Sequence, residues 1–111
     1  VTKVAGFVAK QLEPRLRRKR FNQLGALQLD ADVRALVAFF VDRASRRVRS
    51  RFVRLLQVSQ VLNLESPDEI LEYWGASAPG AMSWELSGEE VRAIMALRTD
   101  WSPADIAKLR L

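Results

Sequence analysis

A chain of 111 residues, 49% of them hydrophobic, holds enough apolar side chain for one modest core or two small ones sharing an interface. Cysteine and histidine are both absent, which excludes disulfides, thiolate or imidazole metal sites, and every Cys/His or Ser/His nucleophile pair. The formal charge of +5 arises from 18 Lys plus Arg against 13 Asp plus Glu, with the excess in Arg15 to Arg20 and Arg43 to Arg54 and a mildly acidic balance after Leu64; this suits nucleic acid, an anionic membrane surface, or simply well-solvated helix faces.

The first nine residues, Val1 to Ala9, read as mid-helix, so the chain is expected to belong to something longer, with some apolar surface meant for helices outside it. No signal-peptide pattern opens it, and the longest apolar run, Ala35 to Val41, is far short of the roughly 20 residues that a spanning helix needs. A soluble protein on the cytosolic side is expected. Thr2 to Glu13 places Val4, Phe7, Val8 and Leu12 at helical spacing. Pro14 interrupts this helix or kinks it into the basic run Arg15 to Arg20, at a cost of about 3 kcal/mol in an ordinary helix interior. Gly25 marks its end, with Asn22 to Gln28 as a connector.

Asp30 can cap the next helix. From there to Asn63 neither Gly nor Pro intervenes, and Val33, Val37, Phe40, Val41, Ala44, Val48, Phe52, Leu55, Ser59 and Leu62 recur every three or four residues. The pattern predicts one long amphipathic helix of roughly 50 Å, the spine of a bundle.

After Leu64 the elements shorten, and each opens on the same device. Ser66-Pro67-Asp68-Glu69, Ser87-Gly88-Glu89-Glu90 and Ser102-Pro103-Ala104-Asp105 all set a Ser cap three residues before an acid. Ser66, Ser87 and Ser102 are therefore the expected caps, with the first helix stopping at Gly75, the second near Thr99 and the third running to the C-terminus. Ala76 to Leu86 is a loop. The expected fold is all-α: residues 1–63 the end of a helical-bundle domain, and residues 64–111 a small C-terminal helical domain with Trp74, Trp84 and Trp101 in its core.

No constellation points to catalysis or to a cofactor. Asp68, Glu69 and Glu72 gather three carboxylates, but capping and the positive end of the helix dipole account for the first two, and no nucleophile, oxyanion donors or phosphate-cradling Gly loop accompanies them. Arg43, Arg46, Arg47, Arg49, Arg51 and Arg54 could follow a phosphate backbone, yet they are spread around the helix without interleaved aromatics, so a nucleic-acid-binding module is the lesser reading. Arg54 lies at the edge of the apolar stripe beside Val58 and Val61, where a guanidinium needs an acceptor. Glu90 opens the face carrying Val91, Ile94 and Leu97, besides serving the cap at Ser87. Arg54 and Glu90 are expected to pair across the join between the two units.

Phe21-Asn22-Gln23-Leu24-Gly25 with Ala26-Leu27-Gln28, the basic Arg49-Ser50-Arg51-Phe52-Val53-Arg54-Leu55, Asn63-Leu64-Glu65, Glu69-Ile70-Leu71-Glu72-Tyr73-Trp74-Gly75 and Glu90-Val91-Arg92 together resemble the C-terminal region of subunit 4 of the conserved oligomeric Golgi complex, a vesicle-tethering assembly. The resemblance implies a helical bundle followed by a small terminal helical domain packed against it, with Arg54 and Glu90 at matching family positions. It also implies a non-catalytic scaffold for retrograde intra-Golgi transport, working with other tethering-complex subunits and with SNARE and Rab proteins, peripheral on the cytoplasmic face of the Golgi membrane. The chain departs from the family pattern at Arg43, Arg46 and Arg47, where neutral, Thr-rich or aromatic residues are usual, at Pro14, where a helix usually continues, and in a loop one residue longer after Gly75.

Overall fold

The computed structural model describes residues 2–41 and 51–111. Among the described residues, five α-helices and one 3-10 turn follow in order: α1 Thr2–Leu16, α2 Gln23–Val41, α3 Val53–Leu62, the 3-10 turn Pro67–Glu72, α4 Gly88–Met95 and α5 Pro103–Ala107. The fold is all-α, with no strand among the described residues; the one β-type contact is an isolated parallel bridge between Phe21 and Arg98.

α1 runs through Pro14 and stops one turn's fraction later at Leu16. A proline this close to the end removes only one of the last intrahelical bonds. Its buried face is Ala5, with Val8, Ala9, Leu12 and Leu16 partly covered, whereas Val4 and Phe7 are exposed. α2 begins at Gln23, inside the expected connector. Its first turn is capped by Asn22, whose Oδ1 accepts the Gly25 N–H at 2.7 Å, and Gly25 sits within that turn instead of ending a helix. Asp30 is thus not a cap. It lies mid-helix, accepting from Arg34 Nε at 2.8 Å and from Ser59 Oγ at 3.0 Å.

The single long helix is the main correction. Asp30 and Ser59 would stand about 44 Å apart on one continuous helix, yet they are hydrogen-bonded. Asn63 Nδ2 likewise donates to Ala26 O at 2.7 Å, and the Phe40 and Phe52 rings lie 5.4 Å apart. α2 and α3 are therefore antiparallel neighbours. The physical reason is that the stripe read as one surface is two halves that bury each other: Val33, Val37 and Phe40 on one side, Phe52, Leu55, Ser59 and Leu62 on the other, all buried. Each large apolar side chain so covered contributes about 1.5–3 kcal/mol. That outweighs continuity of a helix whose outer half would find no partner. Ala44, Val48 and the arginines at 43, 46, 47 and 49 lie outside the described residues.

In the last third, Ser66 occupies the N-cap position of a 3-10 turn and not of an α-helix, and its hydroxyl turns to Asp68 Oδ1 instead of a backbone N–H. Glu69 Oε2 reaches back to Glu65 N at 2.8 Å, one residue before the expected partner. Gly75, at φ +89°, takes the left-handed conformation that lets the chain leave this turn. α4 ends at Met95, short of Thr99, and α5 at Ala107, short of the C-terminus. The tryptophans form a rim: all three are partly exposed, packed against a core of Leu64, Ile70, Leu86, Val91, Ile94, Met95, Ile106 and Leu109. A short two-turn scaffold leaves aliphatic side chains nearest its axis and pushes the large indoles outward, where Trp84 Nε1 can still donate to Tyr73 O at 3.0 Å. One contiguous hydrophobic cluster runs from Ala5 to Leu109 across all the helices.

Candidate functional site

α3 is the element against which α1, α2 and α4 all pack, and its polar side chains hold the molecule's joins. On one side is Arg54. Its Nε and Nη2 donate to the two carboxylate oxygens of Glu13 from α1, both at 2.9 Å, a bidentate fork. Nη2 also donates to Glu90 Oε2 from α4, Nη1 lies 3.5 Å from Glu90 Oε1, and Nη1 reaches Glu85 O at 3.2 Å. Glu90 serves the start of α4 as well: Ser87 Oγ accepts from Glu90 N at 3.1 Å while Glu90 Oε1 accepts from Ser87 N at 3.0 Å. One carboxylate thus completes a capping box and an ion pair together.

Arg17 completes a four-charge cluster, 3.8 Å from Glu13 Oε2 and 3.7 Å from Glu90 Oε2. Its Nε and Nη2 are buried without a hydrogen bond, so charge alone holds it there. The Arg54 guanidinium, followed by the Ser87 N–H, holds the Glu90 carboxyl down at about 2. Arg54 is in turn pushed above its ordinary value, chiefly by its hydrogen bonds to Glu13 and then to Glu90. Glu13 as the principal partner of Arg54 was not foreseen; its place on α1, 41 residues upstream, follows from no local spacing.

A second arginine site also escaped the sequence reading. Arg98 is only 3% exposed. Its Nη1 donates to Leu62 O at 2.7 Å and to Leu64 O at 3.3 Å, satisfying carbonyls at the C-terminal end of α3, where a cation is also favoured by the helix dipole. Nε and Nη2 bind Asp100 at 2.7 and 2.6 Å, and the guanidinium lies 4.3 Å from the Trp101 ring centroid. Its hydrogen bonds draw the Asp100 carboxyl below its usual range. The same segment pairs with the chain after α1: Phe21 N donates to Leu97 O at 2.8 Å and Thr99 N to Phe21 O at 2.7 Å. The only sequence trace was an Arg two residues before an Asp, which is too common to notice.

Gln57 of α3, 3% exposed, holds the loop after the 3-10 turn like a strand partner, donating to Ser83 O and accepting from Glu85 N, both at 2.9 Å. Ser102 Oγ accepts from Ala104 N at 3.2 Å at the start of α5. A groove of about 430 Å³ beside the Arg54 cluster is lined by Gly6, Ala9, Lys10, Pro14, Arg51 and Leu55 among others. Among the described residues no group of three or more Asp or Glu is arranged to hold a metal ion, and no helix is long and apolar enough to cross a membrane. The polar side chains described here cross-link helices; chemically, they position and stabilise.

The family described as "Conserved oligomeric Golgi complex subunit 4, C-terminal" matches residues 1–93. The chain is 46% identical over 108 residues to conserved oligomeric Golgi complex subunit 4 of Arabidopsis thaliana and 41% identical over 108 residues to that of Homo sapiens, covering 97% of this chain and 14% of each relative. To the Drosophila melanogaster protein of the same name it is 38% identical over 112 residues, again 14% of the relative's length. The chain therefore spans a small part of the length of these relatives, and it belongs to the family of conserved oligomeric Golgi complex subunit 4, in that family's C-terminal region.

Proposed function

We propose that this chain is part of a non-catalytic scaffold subunit of a Golgi vesicle-tethering complex, acting in retrograde intra-Golgi transport through protein–protein contacts. The observation that carries this reading is the family match over residues 1–93, together with relatives at 46% and 41% identity that are named as subunits of the conserved oligomeric Golgi complex. The geometry supports it in one specific way. Arg54 ties α1, α3 and α4 together, and Arg98 ties α3 to the segment after α4, so the chain's strongest polar interactions go into holding a shape. A scaffold needs a fixed shape, since it works by setting distances between the partners that it holds.

In this reading the partners are other subunits of the complex, with SNARE and Rab proteins engaged through the full-length subunit, and the association with the cytoplasmic face of the Golgi membrane is peripheral. The terminal unit, residues 64–111, would supply a docking surface held at a set angle by the Arg54 junction. The alternative, a basic helical nucleic-acid-binding module, is the lesser reading; of the arginines it draws on, Arg54 donates to Glu13, Glu85 and Glu90 within the chain and is not free to follow phosphates.

The test is a chimera in which these residues replace the matching C-terminal region of the human relative, expressed in cells lacking that subunit. Co-purification with the other complex subunits and recovery of retrograde recycling of Golgi glycosylation enzymes are expected. A chimera that folds but joins no complex would overturn the proposal. Salt-dependent binding to generic duplex DNA, with affinity falling steeply between about 50 and 200 mM salt, would favour the alternative.

A further inference from the structure

Charge is distributed unevenly along the chain, and α1 with the turn after it holds the largest free excess. Residues 1–29 contain seven Lys plus Arg and one acid, Glu13, whereas residues 64–111 contain nine acids and four bases. Glu13 is already taken by the bidentate fork of Arg54. The side chains of Lys3, Lys10, Arg15, Arg18 and Lys19 enter no ion pair or hydrogen bond among the described residues. All are exposed except Arg18, which is half-buried.

These bases share a face with apolar side chains. At about 100° per residue, Lys3, Val4, Phe7, Lys10, Gln11 and Arg15 fall within one arc of about 140°, opposite the covered Ala5, Ala9 and Leu16. Phe7 is 65% and Val4 56% exposed at the middle of the arc, with Lys3 and Lys10 along one side and Arg15 along the other. The face runs roughly 18 Å from Lys3 to Arg15, and Arg18 and Lys19 extend it into the turn. Pressing it against another apolar helix would strip water from three bases with no acid on the same face to receive them.

We infer that this outer face of α1 lies on an anionic lipid bilayer, with Phe7 and Val4 in the headgroup layer and Lys3, Lys10, Arg15, Arg18 and Lys19 against lipid phosphates and carboxylates. The inference deepens the peripheral membrane association proposed above and rests on that reading. An apolar centre rimmed by bases is the pattern of a helix that lies in the plane of a membrane interface, because long basic side chains keep their heads among anionic headgroups while their stems follow the rings inward. An acidic protein surface fits less well. The bases project separately along the helix and enclose no pocket, so nothing fixes the position of a partner carboxylate, whereas a fluid anionic surface meets them wherever they point. Nucleic acid would match the charge but offers no apolar phase to Val4.

The test is flotation of the full-length subunit that carries these residues with vesicles of phosphatidylcholine alone or with phosphatidylserine at about 20%. Binding is expected only to the anionic vesicles and should weaken as salt rises from about 50 to 200 mM. Each base near such a surface is worth about fivefold in partitioning, so Lys3→Gln, Lys10→Gln and Arg15→Gln together should weaken binding by about a hundredfold. Phe7→Ser should weaken it by about threefold to tenfold through the apolar contact alone, and covers the case in which the triple variant fails to fold. Lys108→Gln with Arg110→Gln, which removes exposed bases elsewhere, should change it by less than about fivefold. Absence of vesicle binding overturns the inference and leaves the face to an acidic protein. So does equal binding to both kinds of vesicle, or an equal loss from the Lys108 and Arg110 pair, which would show attraction by net charge alone. Flotation needs no assembled complex, so it can succeed where the chimera joins none, and a chimera that assembles can still fail to float; the two proposals fall separately.

Discussion

Replacing Arg98 with Ala is expected to be the most damaging single change at a polar residue of this chain. The guanidinium is 2% exposed and donates to two carbonyls, those of Leu62 and Leu64, whose residues are themselves 0% and 5% exposed. Truncation leaves both carbonyls without that donor in a place water reaches poorly, at about 1–3 kcal/mol each. It also removes the aliphatic stem and the contact over Trp101. The ion pair with Asp100 adds less, because that carboxylate is 43% exposed and partly screened, about 0–1 kcal/mol. The expected loss for Arg98→Ala is about 3–5 kcal/mol, most of it from the two carbonyls and the lost stem, about one fifth or more of the roughly 5–15 kcal/mol total typical of a domain. Asp100→Asn should cost under about 1 kcal/mol, since an amide oxygen still accepts. Arg98→Lys should fall between, because an ammonium can satisfy a carbonyl but cannot reproduce the fork. Urea denaturation followed by tryptophan fluorescence and by circular dichroism measures all three. Equal losses for Arg98→Ala and Asp100→Asn would refute the reasoning, since the carbonyls would then contribute nothing beyond the ion pair.

Four further outcomes are expected. In a double-mutant cycle, Arg54→Ala and Glu90→Ala should couple by about 0.5–1 kcal/mol, the modest value set by their 37% and 31% exposure, and strict additivity would mean that each serves only its own helix. Glu90 is held at about 2 against an ordinary 4.5, so the unfolded chain binds more protons in between; its contribution to stability is whole above pH 4.5 and is lost as pH falls towards 2, and Glu90→Gln should flatten the urea-midpoint profile over that same window, about pH 2 to 4.5. Asn22→Ala should cost about 1 kcal/mol by uncapping α2, and a loss below a few tenths in thermal or urea unfolding would show that solvent replaces the cap. Residues 64–111 expressed alone should lack a sharply cooperative thermal transition, because Val91, Ile94 and Met95 of α4 pack into a cluster shared with α3; a sharp transition would show an independent domain.

The helical character, the buried positions Val33, Val37, Phe40, Phe52, Leu55, Ser59 and Leu62, and the starts of α4 and α5 were all legible in the sequence, because periodicity and capping are local and act within a turn or two. The extent of helices was less legible. Asn22 and Asp30 are both good caps, and choosing between them needs the knowledge that Asp30 meets Ser59. Likewise Ser66 has the cap position but its hydroxyl prefers Asp68, a competition between two partners at equal sequence distance from any rule.

What only the tertiary structure decided was connectivity in space. A stripe repeating from Val33 to Leu62 is compatible with one helix or with two that bury each other, since the same residues face inward in both, and contacts between the halves, Ser59 to Asp30, Asn63 to Ala26 and Phe40 on Phe52, separate them. The arginines show the same division. Arg54 could be placed at an edge needing an acceptor, but its bidentate partner Glu13 is 41 residues away, and nothing in the local sequence around Arg98 signals its burial against the end of α3. Charge is a long-range, non-periodic quantity: its partner is set by which helices pack together, and that is settled by the summed burial of apolar faces and by no local pattern.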